Sequence, residues 1–232
     1  MKSKEHPFTM TQTAWNYFRG LEPLSLCDWP GRPCAVVFLG GCNLRCPTCH
    51  NGDLAWNMES QSLVTQATLR AFLAKRSRWL SGVTVTGGEP TTVPGIGAIL
   101  HEIAQSGLPI KLDTNGMLPE AVELMLAEGL VSQFFVDVKG PYEKYPALTG
   151  GAVSDYDARR NLARIFALAK ARPEAFHFRT TLVPLLTETD VETVRGLLPA
   201  GFTLTTQDYK PPRRSYALTD SEARRTAGNL VD

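Results

Sequence analysis

The strongest constraint on the fold is an alternation of short β-rich runs with helix-patterned segments. Residues 35–39 (AVVFL) are continuously apolar, the pattern of a strand buried on both faces. A helix is predicted over 65–78, a strand over 83–86 (VTVT), and a helix over 96–105. In that second helix Ile96, Ile99, Leu100 and Ile103 share one face at i, i+3, i+4 and i+7. Residues 109–112 read as a third strand. The helix after it opens at Pro119, carries Glu120 and Glu123 early and stops at Gly129. Residues 134–138 form the fourth strand, 158–171 a helix ending before Pro173, 176–183 the fifth strand, 191–198 a short helix and 202–206 the sixth strand. A last helix is predicted from Thr219, where Thr219 and Glu222 have capping-box spacing. Strands in this order imply a parallel sheet joined by right-handed crossovers. Six are too few to close an eight-stranded barrel, so the expected fold class is α/β, an open partial (β/α)6 parallel barrel. The expected organisation is a single domain over 1–232, with an extension of about 1–30 outside the repeat, a core over 31–212 and a tail or helix over 213–232.

A chain of 232 residues buries roughly 70–75% of its unfolded surface and needs no disulfide staple. Lys and Arg number 24 against 23 Asp and Glu, so no nucleic-acid groove is implied. No apolar run approaches the ~20 residues of a membrane span, and the basic N-terminus has no apolar stretch behind it, so neither a membrane nor a secretory signal is expected. The expected compartment is the cytoplasm, where thiols stay reduced. Five cysteines, an odd number with three of them inside eight positions, point to metal or redox chemistry rather than a disulfide framework.

Those three lie in the segment 40–51, GGCNLRCPTCHN, with spacing C-x3-C-x2-C. Three thiolates on one tight loop, those of Cys42, Cys46 and Cys49, can hold three irons of a 4Fe–4S cubane and leave the fourth iron without a protein ligand. An amine and a carboxylate can chelate that open corner and bring a sulfonium beside the cluster for one-electron reduction. The alternative is a Cys3His zinc site with His50 as fourth ligand, although adjacent residues such as Cys49 and His50 rarely both reach one metal. Cys27 and Cys34 fit no ligand spacing and read as small buried hydrophobes.

Other unusual residues fall after successive strands. GGEP (87–90) follows the second, DTNG (113–116) the third, Asp137 and Lys139 end the fourth, Arg179 sits in the fifth and QDYKPP (207–212) follows the sixth. The C-terminal ends of parallel strands converge on one rim, where such folds place their chemistry. Each residue also has an ordinary reading: a Gly-Gly turn for 87–88, helix caps or turns for Asp113, Thr114 and Asp137, a solvated lysine for Lys139. Arg179, on an apolar strand, requires a buried partner.

With these motifs the chain resembles the radical SAM superfamily from about residue 25 to 212, and within it the glycyl-radical-enzyme activating proteins. SLCDWPG (25–31) and CHN (49–51) resemble the activases of pyruvate formate-lyase and of anaerobic, class III ribonucleotide reductase. VDVK (136–139), YPALTGG (145–151) and RTTLVP (179–184) are most similar to the ribonucleotide reductase branch. The resemblance implies one 4Fe–4S cluster on Cys42, Cys46 and Cys49, with S-adenosylmethionine (SAM) as the second cofactor. One-electron reduction cleaves SAM to methionine and a 5′-deoxyadenosyl radical, which in activases takes hydrogen from a backbone glycine of the partner. It implies that the element Gly87-Gly88-Glu89-Pro90 holds the methionine amino group, with Glu89 or backbone carbonyls as acceptors, that Asp113, Thr114 and Asp137 bind a monovalent cation, that Lys139 faces the SAM carboxylate and that Arg179 belongs to the active site. Thr48 stands where the family carries an aromatic residue, so the adenine contacts come from elsewhere, around Thr48–His50. The implied partners are a glycyl radical enzyme, first a class III ribonucleotide reductase, and a flavodoxin- or ferredoxin-type electron donor.

Two other readings stay open. One is a radical SAM enzyme acting on a small molecule or nucleoside, such as a deazapurine-type enzyme. The other is a non-catalytic zinc or iron–sulfur binding module.

Overall fold

The computed structural model describes residues 14–211; the helix expected from Thr219 and the tail over 213–232 lie outside the described residues. The chain runs β1 (Phe18–Ser25), β2 (Cys34–Leu39), α1 (Gly52–Trp56), α2 (Gln66–Arg76), β3 (Gly82–Gly87), α3 (Gly97–Ala104) and β4 (Ile110–Thr114). It continues through α4 (Pro119–Ala127), β5 (Gln133–Asp137), α5 (Tyr145–Leu148), α6 (Asp155–Ala171), β6 (Phe176–Leu182), α7 (Glu188–Leu197) and β7 (Leu204–Asp208). The strands form one sheet in chain order, β1 to β7. Strands β2 to β7 pair parallel throughout, as the βα alternation requires. Among the described residues β1 and β7 do not pair, which leaves the partial barrel open.

The extension expected outside the repeat holds a strand. β1 runs antiparallel beside β2, with register irregularities between Phe18 and Gly20 and between Glu22 and Ser25. Gly20 and Pro23 hide it from pattern reading, since both weaken a strand and Pro is tolerated at an edge, where no neighbour needs its missing N–H. The short helices α1 and α5 also lack the length that makes helical periodicity legible.

Register divides the sheet into two unlike faces. The pairs Val83–Ile110, Val85–Leu112, Leu112–Phe134, Phe134–Phe176 and Val136–Phe178 present an apolar outer face to the helices. There they meet Leu69, Leu73, Ile99, Ile103, Val122, Leu162 and Ile165 in one continuous core. The pairs Thr84–Lys111, Lys111–Gln133, Asp113–Phe135, Phe135–His177 and Asp137–Arg179 share the opposite face, because residues in parallel register point the same way and side chains alternate. The inside of the barrel is therefore polar and charged from β3 onward.

The motif SLCDWPG lies in the β1–β2 connection, at the end of the barrel where β2, β3 and β5 begin. Trp29 is 2% exposed and its Nε1 donates to Gln133 Oε1 at 3.1 Å. It packs so closely on Gly82 that a Cβ there would fall 2.4 Å from the indole. Arg32 covers the ring, its guanidinium carbon 5.0 Å from the ring centroid. Trp29 thus plugs the floor of the barrel. Cys34 is buried as expected, accepting from Thr84 Oγ1 at 3.5 Å. Cys27 departs from expectation: it is exposed in the turn, its Sγ 3.4 Å from Ser25 Oγ. Trp29→Ala is expected to lower the unfolding free energy by about 3–5 kcal/mol, read from the denaturant midpoint at unchanged slope. A loss below about 1 kcal/mol would show that the floor carries no weight.

Candidate active site

Six segments from six strand ends line a single cavity at the rim opposite Trp29. Cys42, Thr48, Cys46, Cys49 and His50 come from the loop after β2, and Gly87, Gly88 and Glu89 from the end of β3. Asp113 and Thr114 come from β4, Asp137 and Lys139 from β5, Arg179 from β6 and Gln207 from β7. Every site residue expected from the sequence lines this one cavity.

The cysteine loop is held by its neighbours' backbones. Gly88 N donates to Leu39 O and Glu89 N to Gly41 O, both at 2.8 Å. The two loops approach so closely that a Cβ on Gly88 would lie 1.9 Å from Gly41 O, so only glycine fits there. Arg45 Nη1 donates to the Cys42 carbonyl at 3.0 Å, Trp56 Nε1 to the Leu44 carbonyl at 2.7 Å, and Asn115 Nδ2 to Asn43 Oδ1 at 2.8 Å. Burial pushes the Cys42 thiol up to about 12, and raises Cys46 and Cys49 as well, while Lys139 pulls the latter two down.

Among the described residues no three His, Cys, Asp or Glu side chains converge as ligands of one ion, yet three thiols face one cavity. That donor set fits a group with several metal corners, each taking one thiolate, better than a single zinc ion, whose four ligands crowd around one centre. His50 does not serve the zinc alternative either. It is exposed, its ring lies 5.6 Å from that of Tyr209, and its Nε2 contacts the Lys210 carbonyl.

Glu89 is 1% exposed and its carboxylate is fully engaged. Oε1 accepts from Thr91 N at 3.1 Å, Thr91 Oγ1 at 2.6 Å and Thr114 Oγ1 at 2.8 Å, and Oε2 from Asn115 N at 2.7 Å. Burial raises its pKa against the pull of these donors. Glu89 therefore binds the β3 loop to the end of β4.

The charged residues form a ladder up the inner face. Lys111 Nζ contacts Asp113 Oδ1 and lies 4.4 Å from the Phe135 ring centroid. Arg179 Nη2 stands 3.3 Å from Asp113 Oδ2 and its Nε 2.5 Å from Asp137 Oδ1. Lys139 Nζ completes the ladder, 2.9 Å from Asp137 Oδ2. Against the cost of burial, the charges of Arg179 and then Lys139 hold the Asp137 carboxyl well below the usual range. Asp137 in turn holds Lys139 and Arg179 above theirs, again against burial. Asp113 and Asp137 thus have protein cations as partners, and the Thr114 hydroxyl donates to Glu89. Lys111 and Asn115 were not singled out from the sequence. The signal for Lys111 was a lone cation two residues before Asp113 on an apolar strand.

The sequence profile of the radical SAM superfamily matches residues 36–198, and the chain belongs to that superfamily. Its members are enzymes that use a 4Fe–4S cluster and S-adenosylmethionine. A protein of Methanocaldococcus jannaschii named a "putative glycyl-radical enzyme activating enzyme" is 30% identical over 177 residues, covering 75% of this chain and 72% of the relative. The 7-carboxy-7-deazaguanine synthase of Haemophilus influenzae is 35% identical over 89 residues, 38% of each chain. Among solved structures, Streptococcus suis SuiB bound to S-adenosylmethionine overlays with a TM-score of 0.56 at 19% identity, over 83% of this chain and 45% of that one. That likeness supports the fold.

Because Asp137 has a lower pKa folded than unfolded, its contribution to stability is full above the ordinary carboxylate value near ~4. It is lost as the pH falls toward the depressed folded value. Asp137→Asn leaves Arg179 and Lys139 short of a counter-charge and is expected to cost about 3 kcal/mol at pH 7. In urea titrations the gap between the two proteins should be constant above about pH 5 and narrow below about pH 4.

Proposed function

We propose that the chain is a glycyl-radical-enzyme activating enzyme whose partner is an anaerobic, class III ribonucleotide reductase. The observation that carries the activase reading is the match to the M. jannaschii protein, which runs through three quarters of this chain. The ribonucleotide reductase assignment rests on the VDVK, YPALTGG and RTTLVP resemblances. The open barrel supports a macromolecular substrate. His177, Thr205 and Gln207 are exposed on the inner face beside the unclosed edge, where a flexible loop can reach the rim from the side.

In this reading Cys42, Cys46 and Cys49 hold the cluster, which with SAM supplies the 5′-deoxyadenosyl radical when both are bound. With Glu89 spent on internal donors, the backbone carbonyls of the 87–88 turn are the acceptors for the SAM ammonium. Lys139, held in place by Asp137, faces the SAM carboxylate, and Arg179 keeps Asp137 from turning away. Burial among Leu44, Leu148 and Val183 limits water around the reacting atoms. A flavodoxin- or ferredoxin-type protein supplies the electron. The second reading, a small-molecule radical SAM enzyme, is favoured by the deazaguanine synthase match, which covers 38% of each chain.

Replacing Cys42, Cys46 or Cys49 by Ala should abolish iron retention after anaerobic reconstitution. Cys34→Ala should keep the parental iron content at a stability cost of about 1–2 kcal/mol. Iron retained by the triple variant would remove the cluster from these residues. For the partner, reduced protein and SAM are mixed without oxygen with a class III ribonucleotide reductase. The expected result is a paramagnetic doublet that vanishes when the reductase's radical-bearing glycine is replaced by Ala. Deoxyadenosine release with no protein radical, accompanied by consumption of a deazapurine precursor, would establish the second reading instead.

A further inference from the structure

The segment YPALTGG, residues 145–151, crosses from the end of β5 to the cysteine loop and grips a wall of the cavity at each end. At the β5 end the Tyr145 hydroxyl accepts from the Lys139 amide at 3.1 Å, and Leu148 lies where a Cβ on Gly140 would meet it at 2.5 Å. At the other end the Thr149 carbonyl accepts from the Arg45 amide at 3.0 Å. Gly150, with φ +64°, sits so close that its Cβ would fall 2.2 Å from Arg45 O. Between the two ends the buried Thr149 hydroxyl donates to Tyr145 O at 2.7 Å and accepts from Val153 N at 3.2 Å, which stiffens the turn. Arg45 precedes Cys46 and its guanidinium donates to the Cys42 carbonyl, so whatever fixes Arg45 fixes two of the three thiols.

We propose that residues 145–150 are a strut that sets the distance between the cysteine loop and the Lys139 turn. Tyr145 and Gly150 are then positioning residues for SAM bound between those walls. The proposal rests on the assignment of cluster and SAM to this cavity. The two walls come from β2 and β5, with β3 and β4 between them, and within the rim this segment bonds directly to both. A ligand that must meet the cluster on one side and a lysine on the other tolerates little error, since a displacement of about 1 Å can cost roughly 100-fold in function.

Three variants test the strut. Gly150→Ala and Gly151→Ala each put a side chain on a residue with positive φ, but a Cβ on Gly151 meets nothing within 4 Å. Only Gly150→Ala drives a methyl group into Arg45. After reconstitution with iron and sulfide, Gly150→Ala should bind SAM at least about tenfold more weakly and lose the change that SAM produces in the paramagnetic spectrum of the reduced cluster. Gly151→Ala should keep the parental affinity and spectrum despite the strain of a side chain at positive φ. Tyr145→Phe should keep its iron and still weaken SAM binding. Parental SAM affinity in Gly150→Ala, or an equal loss in Gly151→Ala, overturns the strut. If Gly150→Ala does not fold, parental affinity in Tyr145→Phe overturns it. A parent protein that holds no cluster overturns the underlying assignment, and the strut's role falls with it.

Discussion

The arrangement of the rim depends on one shared carboxylate. Asp137 gives one oxygen to Arg179 on β6 and the other to Lys139 in the turn beyond β5, and Arg179 reaches on to Asp113 on β4. Three adjacent strand ends are thereby locked in register by charge, above whatever the backbone ladder enforces. Apolar replacement of a buried ion pair is often neutral for stability, so stability alone does not explain this ladder in a parallel sheet. Placement does. An ammonium held from one side by a carboxylate keeps its remaining hydrogens pointed into the cavity, and no apolar substitute could do that.

The strands were legible because each carries apolar residues on its outer face, a continuous run only at 35–39, and the helices because their buried faces repeat at 3.6 residues. The inner face was legible only as a set of anomalies. Asp113, Asp137 and Arg179 each look out of place in an apolar strand, and sequence order locates the two acids at strand ends. It does not reveal that they pair with one another. Asp113 and Asp137 each pair with a lysine two residues away along the chain and with Arg179 on β6, and sequence order does not announce the shared arginine. Glu89 illustrates the same limit. Its acidity suggests an acceptor for a bound ammonium, but its donors belong to Thr91, Thr114 and Asn115, two of them about 25 residues away. Cys27 reads as a small buried hydrophobe because it fits no ligand spacing, whereas it is exposed in the turn, as is Leu26. In that segment Trp29 is the residue that goes inward.

The electrostatics of the rim explain why the cysteine loop and the ladder face each other. Along the inner face and rim Lys111, Arg179 and Lys139 are matched by Asp113, Asp137 and Glu89, three cations against three acids. Glu89 is engaged by four neutral donors. Burial keeps the three thiols protonated at neutral pH, so without metal the loop brings no negative charge of its own. Metal binding releases thiol protons, and the thiolates then sit in a field already biased in their favour by Lys139, which acts on both Cys46 and Cys49. The Lys139 ammonium also suits the carboxylate end of an amino-acid-like ligand. One cation, Lys139, thus serves both requirements, provided the two walls keep their spacing. The sheet supplies the direction of each residue, and the contacts between loops supply the distance.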